Sequence, residues 1–187
     1  MRTAIALALC AALLAAMPVA AETRTQATQA QLDRLFKALR AAPNEATAGM
    51  LEGRIRHVWL QQATPAVALL MARGDRDVAN DADDEAIADF DAVLDLAPDF
   101  AEGYDRRAVA RANAGDYAGA VRDIEAALQH DPRNFAALHT LSRIAELQGN
   151  WKGALDAWRK SLDIDPRTPG GAARLEMLRK KVEGEAT

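Results

Sequence analysis

The stretch Ala101 to Asn134, AEGYDRRAVARANAGDYAGAVRDIEAALQHDPRN, decides the fold, because a shift of 34 residues in either direction lands on a related segment. With Val67, Ala101 and Phe135 as first positions, Pro98, Pro132 and Pro166 all stand at position 32. Position 20 carries Ala86, Ala120 and Ala154, position 24 carries Phe90, Ile124 and Trp158, and position 28 carries Leu94, Leu128 and Leu162. Residues four apart share one face of an α-helix, so these positions predict a second helix in each copy with a buried stripe. Position 8 is small in every copy, Gly74, Ala108 and Ser142, and lies beside Leu70, Tyr104 and Leu138 at position 4. This is the pattern of two helices crossing closely. Between them Gly115-Asp116 and Gly149-Asn150 supply a left-handed turn, for which Asn80-Asp81 substitutes in the first copy.

The copies begin after Thr64-Pro65, a cap residue followed by proline at the first helical position. Upstream, Leu32, Leu35, Phe36 and Leu39 recur on one helical face up to Pro43, and Asn44 caps a second helix carrying Leu51, Ile55, Val58 and Trp59. Forced into the 34-residue register, this hairpin puts Arg40 and Glu52 where the later copies carry small residues. It therefore reads as a degenerate or capping unit. Downstream, Thr168-Pro169-Gly170-Gly171 breaks the pattern, and a helix from about Ala172 to Val182 presents Leu175, Leu178 and Val182 on one side. Arg174, Arg179, Lys180 and Lys181 are expected to face outward, where cations favour the C-terminal end of the helix dipole. A linear stack needs such a cap over its last apolar face.

The N-terminus is set apart from the fold. Arg2 precedes an apolar run from Ala4 to Ala16, and Val19-Ala20-Ala21 has the small residues of a signal-peptidase site. The expectation is a secretory leader over residues 1–21, hence a periplasmic protein, with membrane contact only if the leader is kept. The single cysteine, Cys10, would leave with it, so no disulfide, thiol nucleophile or thiolate metal site is expected in the mature chain. The 187 residues include 23 basic and 27 acidic side chains, a formal net charge of -4, which disfavours nucleic acid as a partner.

The period, the small residues at positions 8 and 20, the bulky residue at 24 and proline at 32 resemble the tetratricopeptide repeat family over Val67 to Thr168. The resemblance implies an all-α solenoid of antiparallel helix pairs. The expected organisation is a leader at 1–21, an N-terminal hairpin at 22–64, three repeats at 65–168 and a capping helix at 169–187. The chain departs from the family pattern at position 11, Asp77, Arg111 and Ala145 where an aromatic is usual, and at position 7, where the departure concerns charge. Position 7 is Arg73 and Arg107 in two copies but Leu141 in the third, and position 23 changes in step, Asp89, Asp123, then Ala157. Charges that come and go together predict facing ion pairs inside a repeat, since a partly buried charge without its partner is costly.

No catalytic constellation is expected. The two serines downstream of the leader, Ser142 and Ser161, occupy small-residue positions of the repeat. His57, His130 and His139 fall in separate helices without ligand spacing and are expected at the surface or rim. A calcium loop starting at Asp81 would need glycine and glutamate where Ala86 and Ala92 stand, whereas Asp83, Asp84 and Glu85 suit a helix N-terminus. No metal and no cofactor is therefore expected, and no enzyme activity.

The resemblance further implies a concave groove lined by positions 2, 5, 9 and 12 of each first helix. Carried onto this chain, the candidate ligand-binding residues are Met71 and Asp75, then Glu102, Asp105, Val109 and Ala112, then His139, Arg143 and Glu146. Such a mixed surface suits an extended peptide or a helix of a protein partner. The clamp by which some family members hold a terminal carboxylate is missing, its positions being Met71, Asp75, Arg106, Ala136 and Thr140. The expectation is a non-enzymatic periplasmic adaptor or scaffold for an envelope protein; the alternative is a self-assembling or membrane-tethered structural component.

Overall fold

The computed structural model describes residues 26–185, so the leader and Cys10 lie outside the described residues. Helix α1 spans residues 26–40 and α2 spans Glu45–Leu60, its first turn capped by Asn44, which accepts a hydrogen bond from the Thr47 amide at 2.9 Å. The repeats are α3 Pro65–Ala79 with α4 Asp83–Leu96, α5 Ala101–Asn113 with α6 Tyr117–His130, and α7 Phe135–Leu147 with α8 Trp151–Ile164. A final helix, α9, spans Gly171–Glu185. Second helices start and stop at equivalent positions in all three copies, so the 34-residue period is also the period of the structure.

The turns follow the expected chemistry. Gly115 and Gly149 take φ of 85° and 72°, and Asp81 takes φ 58° at the equivalent place, where a Cβ makes the left-handed conformation less favourable. Asp116, Asn134 and Asn150 each cap the following helix by accepting an amide hydrogen from three residues ahead. Ala86, Ala120 and Ala154 are fully buried, as are Phe90 and Ile124, with Trp158 5% exposed. At Gly74 a Cβ would meet the Phe90 ring at 2.7 Å, so this close crossing tolerates no larger residue. The end cap is as expected on its apolar side: Leu178 is fully buried in a cluster with Ala154, Leu155 and Trp158, flanked by Leu175 and Val182. Arg174 is different. Instead of facing outward it lies 4.7 Å over the Trp158 ring and donates to Ser142 Oγ and to Glu146, because the guanidinium can stack its flat face while its edge makes hydrogen bonds.

Each predicted ion pair is present. Arg107 donates through Nε at 3.0 Å and Nη2 at 2.7 Å to the two oxygens of Asp123, whose side chain is 5% exposed. Arg111 adds a third bond to Asp123 at 2.8 Å, and Arg107 also reaches Asp91 of α4 at 2.6 Å, so the pair is part of a network across two repeats. Arg73 grips Asp89 in the same way in the first repeat.

The N-terminal hairpin is not stacked on the first repeat. Its apolar side chains, among them Leu32, Leu35, Phe36, Leu39, Ile55 and Trp59, join Phe135 of α7 in one core, with Ala136 and Ile164 packed against it. The core of the first repeat, around Val67, Met71 and Phe90, is separate. The chain therefore folds back from α2 through Gln61–Thr64, so that the hairpin preceding repeat one lies against repeats two and three.

Candidate functional site: a groove holding its own helix

Two turns of identical chemistry hold the hairpin. Asp131-Pro132-Arg133-Asn134 joins α6 to α7, and Asp165-Pro166-Arg167-Thr168 follows α8, one repeat further on. In both, the aspartate Oδ1 accepts the amide hydrogen of the residue two ahead, from Arg133 at 2.9 Å and Arg167 at 3.1 Å, which leaves Oδ2 free to meet a neighbour. Asp131 Oδ2 accepts a hydrogen bond from Trp59 Nε1 of α2 at 2.9 Å. Trp59 is wedged between Phe36 and Phe135, with ring centroids 6.0 and 5.4 Å away. Arg133 lies over the Phe36 ring at 4.4 Å and donates to Asp33 at 2.6 Å.

The second turn receives Glu52, two helical turns before Trp59. Thr168 Oγ1 donates to Glu52 Oε1 at 2.7 Å and Arg56 donates to Oε2 at 3.2 Å. Asp165 is fully buried and its Oδ2 has no hydrogen-bond donor. Burial, and then the Glu52 carboxyl beside it, push the Asp165 carboxyl up to about 7. Further contacts close this end: Arg40 donates to the Asp163 carbonyl at 2.9 Å, and the Gly170 amide donates to Glu45 at 3.1 Å. Arg40 and Glu52, the residues that do not fit the repeat register, are thus the ones that dock the hairpin.

The candidate groove residues separate into two sets. Met71, Glu102, Asp105 and Ala112 are 3%, 1%, 4% and 2% exposed. Met71 packs in the first-repeat core. Glu102 accepts from Asn134 Nδ2 at 3.0 Å and Asp105 accepts from Thr140 at 2.8 Å, so both tie α5 to α7 rather than face solvent. Burial, and then the nearby Asp105, raise the Glu102 carboxyl to about 7; burial also raises Asp105. The other set keeps some exposure. Asp75 pairs with Arg106 across α3 and α5 at 3.7 Å, Val109 is half-buried, and Arg143 donates to Asn113 at 2.7 Å. Glu146 is held by Arg174.

His139 departs from the surface position expected of it. It is half-buried, its ring 4.6 Å from that of Trp158, and Nε2 lacks a partner. Burial lowers its pKa to about 4 despite the opposing charge of Glu52. His57 and His130 are exposed as expected. A cavity of about 210 Å³ remains between hairpin and repeats, lined by Leu32, Trp59, Gln62, Phe100, Glu102 and Asp131 among others. Among the described residues no three His, Cys, Asp or Glu side chains converge as metal ligands would, and no helix is long and apolar enough to cross a membrane.

Sequence reasoning placed a ligand surface on α3, α5 and α7 but missed Asp131, Phe135, Asp165 and Thr168, which make the contact with α2. The repeated Asp-Pro-Arg of the second and third copies, against Ala97-Pro98-Asp99 in the first, was the available signal.

Known proteins share this architecture. A pattern for the tetratricopeptide repeat matches residues 112–177. A TPR repeat-containing protein of Rhizobium etli is 31% identical over 157 residues, which cover 84% of this chain and 77% of that protein. The chain belongs to the tetratricopeptide repeat family. Yeast small glutamine-rich tetratricopeptide repeat-containing protein 2 is 33% identical over 116 residues, though the match spans only 34% of its length. Among solved structures, the Sgt2 TPR domain from Aspergillus fumigatus superposes with a TM-score of 0.61 at 26% identity, over 66% of this chain and 83% of that domain. The TPR2B domain of yeast Sti1, in a complex with pHsp70, gives 0.58 at 19% identity over 65% and 99%, a likeness of fold alone.

Proposed function

We propose that this chain is a non-enzymatic protein-interaction module whose concave face receives a helix or peptide of a protein partner. The observation that carries the reading is α2 itself: the groove face of α7, with Phe135 and the flanking aspartate turns, already accommodates an amphipathic helix through an indole, apolar side chains and hydrogen bonds. Related domains described as complexes with pHsp70 and with an HSP90 peptide support peptide binding as a use of this fold. The carboxylate clamp is missing, so recognition here rests on the side chains of a segment rather than on its terminus. The leader points to the periplasm and hence to a cell-envelope partner.

In-cell photocrosslinking tests this reading. A crosslinker at Asp75 and at Arg143, both exposed on the open part of the groove, should capture a defined protein in the envelope fraction. The control is Arg122, which is exposed on α6. Capture no greater than at Arg122, or recovery of the protein in the cytoplasm, would count against the adaptor.

A further inference from the structure

Because the N-terminal hairpin packs on repeats two and three, nothing among the described residues covers the outer face of α3. Repeat symmetry identifies the missing contact. Positions 3, 7 and 10 are Gly103, Arg107 and Ala110 in α5, and Ala137, Leu141 and Ile144 in α7. These residues are buried or half-buried against the preceding repeat: Ala110 joins the core of repeat one, while Ala137, Leu141 and Ile144 join that of repeat two. In α3 the same positions are Leu69, Arg73 and Arg76, all exposed, Leu69 at 69%.

Position 7 makes the comparison atom by atom. Arg107 gives Nε and Nη2 to Asp123 of its own repeat and Nη1 to Asp91 of the preceding α4, at 2.6 Å. Arg73 grips Asp89 through the same Nε and Nη2, but no preceding helix brings a carboxylate to its Nη1, and Asp77 adds only a longer-range attraction. Size is matched as well. Gly103 lies against Val93 and Leu94, where a Cβ would come to 2.9 and 3.0 Å, whereas Ala137 shares its core with Ala127, the equivalent of Val93. A larger residue on one side goes with a smaller one opposite, so Leu69 calls for alanine or glycine.

We propose that the outer face of α3 docks an acidic amphipathic helix of another protein, laid on it as α4 is laid on α5, with a carboxylate at the Asp91 place and small residues at the Val93 and Leu94 places. This surface is separate from the concave groove and does not depend on what the groove binds. Charge selects the occupant: Arg73 and Arg76, one turn apart, attract an acidic helix and repel a basic one. A second copy of the chain has no such helix to offer, because the corresponding faces of α4, α6 and α8 are already covered by α5, α7 and α9.

The test uses the full chain and a fluorescent peptide of residues 83–97 with Val93→Ala and Leu94→Ala, stapled because so short a helix is marginal alone. Anisotropy should report binding that weakens at least about fivefold when the peptide also carries Asp91→Asn, the effect of losing a charged hydrogen bond. The chain variant Arg73→Leu with Asp89→Ala copies Leu141 and Ala157 of repeat three, leaves no charge buried there, and should bind both peptides equally. Leu69→Glu, a change at an exposed position, should abolish binding, whereas Arg122→Glu on α6, a larger change of charge, should not. Absence of binding at about 1 mM peptide overturns the proposal. So does equal affinity of the Asp91 and Asn peptides for the parent, a preference that persists without Arg73, or undiminished binding to Leu69→Glu. A dimer of the chain that Leu69→Glu dissociates in sedimentation equilibrium would assign the face to a second copy and overturn it too. Each of these results leaves the crosslinking test of the groove standing by itself.

Discussion

Replacing Arg107 by leucine leaves the Asp123 carboxylate, 5% exposed, with one of its three guanidinium hydrogen bonds, the Arg111 contact at 2.8 Å. Stripping a buried carboxylate of its only partner costs about 3–5 kcal/mol. Because Arg111 remains, the expected loss is smaller, about 2 kcal/mol, or a fall in Tm of roughly 4–8 °C for a chain of this size. The informative variant is the double one. Arg107→Leu with Asp123→Ala reproduces Leu141 and Ala157 of the third repeat, where no charge is buried at these positions. Asp91 and Arg111 would be left over, with side chains 50% and 23% exposed, so each can turn to water. The double variant should therefore recover to within about 1 kcal/mol of the parent, a coupling of the kind seen for residues in contact. Arg73→Leu extends the test to the first repeat: it leaves Asp89, whose side chain is 6% exposed, without the guanidinium that grips it and with no counterpart of Arg111, so it should destabilise in the same direction. Urea unfolding followed by circular dichroism measures the parent, the singles Arg107→Leu and Asp123→Ala, the double variant and Arg73→Leu. A double variant as unstable as the sum of its singles refutes the pairing.

Other consequences follow from burial and contact. Glu102 and Asp165 have carboxyls raised to about 7 in the folded state, so each contributes stability that is complete below the ordinary carboxyl pKa near 4 and is lost as pH rises through 7; His139, lowered to about 4, loses its contribution as pH falls toward 4. Two carboxyls outweigh one imidazole, so Tm should fall from pH 5 to pH 8, and Glu102→Gln should flatten that fall; an unchanged slope in thermal melts would refute the role of Glu102. Gly74→Ala drives a Cβ to 2.7 Å from the Phe90 ring and should cost about 1–3 kcal/mol by urea titration. Leu178→Ala removes a fully buried anchor of the end cap and should cost about 2–5 kcal/mol, with hydrogen exchange rising first in α8 and α9.

Much of this protein was legible because repetition turns one chain into three readings of one pattern. Arg107 and Asp123 were paired from sequence by comparing copies, since two opposite charges that appear and vanish together face each other. The groove residues were less legible for a related reason. Glu102 and Asp105 stand at positions that face the concave side in the family, but whether such a side chain meets solvent depends on what the next repeat offers, and here Asn134 and Thr140 take both carboxylates. Arg174 was misjudged because a helix-end charge and a stacked, hydrogen-bonded guanidinium look alike in a sequence.

The sequence by itself determined the helices, their pairing, the 34-residue stack and its end cap, because periodic apolar burial and turn chemistry are local and recur at every repeat. Only the tertiary structure decided where the N-terminal hairpin goes. Arg40 and Glu52 showed that it was not a repeat, but its destination depends on Trp59 finding Asp131 and on Glu52 finding Thr168, contacts separated by 72 and 116 residues. No local pattern encodes such a distance; it emerges when the curvature of the stack sets two equivalent aspartate turns side by side and a helix from the start of the chain lies across them.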